Sequence, residues 1–242
     1  MDTFINKKNF ETLINIPQEI TPEVLVSDVS VEMILKGLGM KKTDAEDYLL
    51  EMISELTEQS IKLAEPKAGF VFYNDIQIEL QNYKLRISDT IFETGKTVTS
   101  LLKKSEVLIV FACTCGDKIE NLSKNLMKKG HSLEGLIVDL IGSEITEALA
   151  EYLHNFIELE VKEFCMSVSN RYSPGYCNWN VEEQQKLFPL LKGKDCKIKL
   201  TSSSLMIPIK SVSGIFGAGH SVKRLPYKCS VCDDEFCILR NK

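Results

Sequence analysis

Apolar residues recur at three- and four-residue steps through one long stretch of the chain. In TDAEDYLLEMISELTEQSIKLAE (43–65), Leu49, Met52, Ile53, Leu56, Ser60 and Leu63 mark one face of an amphipathic helix. Thr43 and Glu46 have the spacing of a capping box, and Pro66 ends the run. SLEGLIVDLIGSEITEALAEYLHNFIELEV (132–161) is the longest helical stretch. Shorter helices are predicted at 30–40, capped by Ser30, at 93–105, at 115–130 with Gly130 closing it, and at 181–191. Alternation over 69–87 predicts two strands around an Asn-Asp turn. EVLIVFAC (106–113) is apolar without a break, as expected of a strand buried on both faces. CKIKL (196–200) reads as a strand, and IKSVSGIFGAGH (209–220) begins as one and runs into glycines. Residues 1–29 are predicted to be irregular, with Pro17 and Pro22 breaking any helix.

Few strands, some adjacent in sequence, among many helices predict an α+β architecture with helices packed on a mostly antiparallel sheet. Neither a repeat nor a linker divides the 242 residues. They are expected to form one domain with a helical part at 1–66, an α+β core at 67–220 and a Cys-rich tail at 221–242.

Composition narrows the function classes. A net charge of −5 argues against a nucleic-acid surface. The longest apolar run, VLIVFAC (107–113), is too short for a membrane span. MDTFINKKNF lacks the apolar core of a signal peptide, so a cytoplasmic location is expected. In that compartment eight cysteines are expected to be thiols or ligands rather than disulfides.

The segment NRYSPGYCNW (170–179) holds an arginine, two tyrosines, a Pro-Gly and the chain's one tryptophan. Arg171 offers a planar fork of donors for a carboxylate or phosphate. Pro174-Gly175 predicts a tight turn, and Gly175 lets a ligand approach the main chain. Tyr172 and Tyr176 could flank a flat ring or a cation such as a sulfonium. A salt-bridged arginine on a turn with packed tyrosines accounts for the same residues. Glu144, Glu147 and Glu151 share one face of the long helix by spacing, either as a solvated acidic face or, at Glu147 beside small alanines, as a point of close approach. LTSSSLMIPIKSVSG (200–214) fits a pocket wall or, more simply, a strand–turn–strand. FACTCG (111–116) has the thiols of Cys113 and Cys115 one residue apart, which fits two small residues packing a strand-to-helix turn rather than a dithiol. Cys229, Cys232 and Cys237 in KCSVCDDEFC give two ligands at C-x2-C spacing and a third, short of the four that zinc or an iron–sulfur cluster takes unless His220, another Cys or a partner contributes; free thiols are the alternative. No P-loop, G-x-S-x-G elbow or G-x-G-x-x-G is present.

Three of these stretches, EALAEYLH (147–154), RYSPGY (171–176) and LTSSSLMIPIKSVSG (200–214), resemble in order the E-A-x-A-E-Y-L-H, R-x-x-P-G-Y and L-T-E-S-x-x-M-x-P-x-x-S-V-S-G segments of the reactivation domain of cobalamin-dependent methionine synthase. The resemblance covers roughly 140–217, with Ser202 where the family has glutamate and IFGAGH where large synthases continue with an aromatic stretch. It implies a twisted, mostly antiparallel sheet with packed helices, and S-adenosylmethionine as ligand. Arg171 would grip the ligand carboxylate, Glu147 a hydroxyl or ammonium, and the backbone of Ser173 and Gly175 other polar groups. Tyr176 would sit by the sulfonium and the corrin. Asp28 is the candidate for an aspartate that large synthases use at the ligand. The chain has no D-x-H-x-x-G loop for cobalamin, so the resemblance implies a separate corrinoid-binding methyltransferase subunit carrying the cobalamin, and a flavodoxin-like or ferredoxin-like electron donor. Against this stand two other expectations: a metal or iron–sulfur redox module built on Cys229, Cys232 and Cys237, and a purely structural subunit.

Overall fold

The computed structural model describes residues 10–225. Five strands form the central sheet in the order β1 (Gln18–Ile20), β2 (Lys67–Tyr73), β6 (Val107–Thr114), β10 (Ser211–Gly219), β7 (Ser167–Val168), with every neighbouring pair antiparallel. Between β2 and β6 the chain adds a three-stranded meander of β3 (Ile76–Glu79), β4 (Lys84–Ile87) and β5 (Thr90–Phe92), followed by helix α3 (Gly95–Leu102). The remaining helices are α1 (Val31–Gly37), α2 (Asp47–Leu63), α4 (Lys118–Lys128), α5 (Ser132–Lys162) and the short α6 (Gln184–Leu187). A small hairpin pairs β8 (Lys199–Leu200) with β9 (Met206–Ile207).

The sheet separates two cores, and the strand period of two explains the division. In β6, Val107, Ile109, Phe111 and Cys113 face one core while Leu108, Val110 and Ala112 face the other. Burial on both sides is why this stretch carries no polar residue until its end. Against the first face lies α5, whose Ile137, Ile141, Ile145, Leu149, Leu153, Ile157 and Val161 form an unbroken four-residue stripe of fully buried side chains. Such a side chain contributes about 1.5–3 kcal/mol when withdrawn from water, which makes this stripe the main anchor of the helical layer. Against the second face lie the meander, α3 and residues 179–198, with Trp179, Phe92, Leu187 and Leu191 in the core.

Local details depart from sequence expectation. The capping box of α2 does not form: Glu46 is the N-cap without a side-chain bond, and the Thr43 hydroxyl donates to Asp44 at 2.9 Å. A strand, β1, lies inside the stretch expected to be irregular, held to β2 by backbone pairing from Gln18↔Phe70 to Ile20↔Ala68. The 181–191 helix is broken into 3-10, α and 3-10 turns. IKSVSGIFGAGH does not fall apart at its glycines; β10 is paired with β6 from Ser211↔Thr114 to Ala218↔Val107. The expected strand–turn–strand over 200–214 is present as the β8–β9 hairpin leading into β10. No helix among the described residues is long and apolar enough to cross a membrane.

Candidate functional site

The site begins with an irregularity at the sheet edge. Val168 pairs with Ala218, whereas Tyr172 bridges Ile215. Four steps on one strand therefore match three on the other, which is a β-bulge of one residue. The Ser169 hydroxyl accepts from Gly217 N at 2.9 Å and donates to the Asn170 carbonyl at 2.8 Å, holding the extra residue in place. The bulge reverses facing. Val168 points into the α5-side core, but Tyr172 packs on the opposite core, and Arg171 is turned toward α5.

There Arg171 meets Glu147 and Glu151, one turn apart on α5. Its Nη2 lies 3.4 Å from Glu147 Oε2 and 3.7 Å from Glu151 Oε2. Nη1 is buried and has no hydrogen-bond partner within the protein. A guanidinium nitrogen left dry and unpaired is costly, and an anion that supplied the missing acceptor would recover that cost. Glu144 does not join this group. Its carboxyl is raised by burial first and by the Glu147 charge second, and it accepts from the Ser30 backbone at the start of α1.

Glu151 is also held by Arg224, whose Nη2 lies 2.7 and 2.8 Å from its two oxygens. Burial pushes the Glu151 carboxyl up, but the Arg224 bond and charge, with Arg171 behind, bring it below the usual range. His154, one turn further along α5, is buried with Nε2 at 2.8 Å from the Ser169 carbonyl. Burial first, then the charges of Arg224 and Arg171, lower it to about 4, so it is neutral at pH 7 and ties α5 to the bulge.

After Tyr172 the chain turns. Gly175 has φ +95°, a conformation that side chains avoid, and its N–H donates to the Trp179 carbonyl at 2.6 Å. Tyr176 N donates to the Ser173 carbonyl at 3.2 Å. The Tyr176 ring is 56% exposed and projects beside the turn, available to a large partner or ligand. Trp179 goes the other way: it is buried, edge-on to Phe92 at 5.9 Å, with its indole N–H donating to Glu183 at 3.4 Å. The sequence motif thus combines an arginine on one face, an exposed tyrosine on the turn and a structural tryptophan on the other face.

One contributor was hidden in the sequence. A Cβ on Gly214 would lie 2.4 Å from the Tyr172 carbonyl and 2.8 Å from Ser173 Oγ, so only glycine lets the loop lie down on β10. The signal was the S-V-S-G string, which spacing alone reads as an ordinary strand. Arg224 and its pairing with Glu151 also escaped, because their meeting joins the segment after β10 to α5.

Elsewhere, Cys113 and Cys115 are buried at the strand-to-helix turn, and desolvation pushes both thiols up, as fits packing rather than nucleophilic chemistry. The Asp28 carboxylate accepts from Leu25 N at 2.8 Å within its own 3-10 turn. Cys229, Cys232 and Cys237 lie outside the described residues. Among the described residues no group of three His, Cys, Asp or Glu is placed to hold a metal ion.

The crystal structure of the MetH reactivation domain bound to AdoHcy superposes with a TM-score of 0.63 over 86% of this chain and 79% of that one, at 17% identity. The family model of the vitamin B12 dependent methionine synthase activation domain matches residues 85–235, and the chain belongs to that family. No curated protein matches it.

Proposed function

We propose that the protein is an S-adenosylmethionine-binding accessory domain that supports reductive methylation of a corrinoid carried by a separate methyltransferase subunit. The observation that carries this reading is the buried, unpartnered Nη1 of Arg171, beside two helix carboxylates and in the same loop as an exposed tyrosine. A zwitterion with a sulfonium needs an arginine for its carboxylate, an acidic group for its ammonium or hydroxyls, and an aromatic face near the cation. Arg171 would hold the carboxylate and Glu147 the ammonium or a hydroxyl. The backbone around Ser173 and Gly175, where the turn leaves groups unpaired, would meet remaining polar groups, and Tyr176 would stand toward the corrin. When bound, S-adenosylmethionine supplies a methyl group on sulfur. A flavodoxin-like or ferredoxin-like protein would supply the one electron that the oxidised corrinoid requires. The chain itself positions and orients, and proximity is its contribution. His154, neutral and buried, fixes the helix against the loop rather than moving a proton.

Calorimetric titration with S-adenosylmethionine tests the reading. The parent should bind, and Arg171→Ala should lose about 2–5 kcal/mol, as when one member of a buried charge pair is removed. A parent that binds neither alone nor in the presence of the corrinoid subunit would exclude the methyl-donor role.

A further inference from the structure

The charge balance around Arg171 depends on a residue from the far end of the chain. Glu151 stands 3.7 Å from Arg171 but 2.7 and 2.8 Å from Arg224 Nη2. Arg224 Nη1 adds a bond to Asn155 Oδ1 at 3.1 Å, one turn along α5. The two arginines arrive together. Asn170, the residue before Arg171, receives Leu225 N on Oδ1 at 2.8 Å and donates from Nδ2 to the Leu225 carbonyl at 2.9 Å. The segment after β10 is therefore fastened to the base of the arginine loop, and Arg224 is delivered to the same stretch of helix as Arg171.

We infer that Arg224 is a positioning residue that keeps Arg171 open to a ligand carboxylate by occupying Glu151. With Arg224 in place, Glu151 gives its short contacts to Arg224, Arg171 keeps only the looser 3.4 and 3.7 Å contacts to Glu147 and Glu151, and Nη1 stays unpaired. Without Arg224, the nearest cation to Glu151 is Arg171. The carboxylate would close on it as a side-chain pair and compete with any carboxylate ligand. Two acidic groups around one guanidinium would also repel an incoming anion. The inference rests on the S-adenosylmethionine reading, which assigns the ligand its carboxylate.

The test is calorimetry with S-adenosylhomocysteine on the parent, Arg224→Gln, and the double variant Arg224→Gln/Glu151→Gln. Arg224→Gln should weaken binding on the order of tenfold, within the range of coupling between neighbouring charged groups. Removing the competing carboxylate in the double variant should return affinity to within about threefold of the parent. Methylthioadenosine, which has no carboxylate, should bind the parent and Arg224→Gln alike. If Arg224 served only to anchor the segment, the double variant would bind as poorly as the single one, and the inference would fall. Parental binding by Arg224→Gln would overturn it equally while leaving the ligand reading intact. A parent that binds no S-adenosylhomocysteine while Arg171→Ala behaves the same would remove both. Should Arg224→Gln fold poorly by thermal melting, Arg224→Lys keeps the charge and should bind close to the parent.

Discussion

The two halves of the 170–179 segment differ in almost every physical respect. Arg171 sits on the helix face of the sheet, a fifth exposed, with one nitrogen unpaired and two carboxylates at loose distances. Trp179, eight residues on, is 1% exposed on the opposite face, ring against ring with Phe92 and hydrogen-bonded to Glu183. Glu183 in turn accepts from Glu93 N at 2.8 Å, so the tryptophan half is satisfied throughout. One half is complete in its hydrogen bonding and the other is not. Anchoring a loop by a finished apolar core on one side of a sheet allows an unfinished polar arrangement to be held still on the other.

The sharpest way to break this contrast is Trp179→Ala. It should cost about 3–5 kcal/mol, typical of deleting a buried aromatic ring, and denaturant unfolding would read it directly. Next comes pH. His154 is lowered from 6.5 to about 4, so the unfolded chain takes up a proton before the folded one does. Its contribution is fully present above pH 6.5 and is lost as pH falls toward 4, a drop of about 3 kcal/mol that His154→Phe should flatten. Gly214→Ala forces the Tyr172 carbonyl and the bulge to move; overpacking of this kind costs about 1–3 kcal/mol and should weaken ligand binding as well. The smallest stability effect belongs to Arg171→Ala. Its loose ion pairs are worth no more than about 1 kcal/mol, so the melting curve should barely move while ligand binding weakens by about 2–5 kcal/mol. A large stability loss in Arg171→Ala would erase the distinction between the two halves.

Much of the scaffold was legible along the chain. The unbroken apolar run of β6 announced a strand buried on both sides, and 132–161 stood out as the longest helix. Arg171, Glu147 and the Gly175 turn stood out as well, because a fork of donors, an acidic helix position and a Pro-Gly pair are local signals. The Thr43–Glu46 pattern misled, since the first turn of α2 starts later and Thr43 finds Asp44 instead. The glycines of β10 were read as the end of a strand, because what they accommodate, the Tyr172 backbone at Gly214 for one, comes from a distant segment.

Periodicity, turn chemistry and motif order along the sequence determined most of the helices and strands, where the sheet is buried, and which residues are candidates for ligand contact. Which face each residue serves was decided only in three dimensions. A single extra residue between Val168 and Tyr172 reverses the facing of everything after it, and that register exists only against β10. The placement of Arg224 on Glu151 likewise depends on how the end of β10 meets α5. Local free energies set the elements; long-range pairing, which no short window of sequence contains, sets which charges meet.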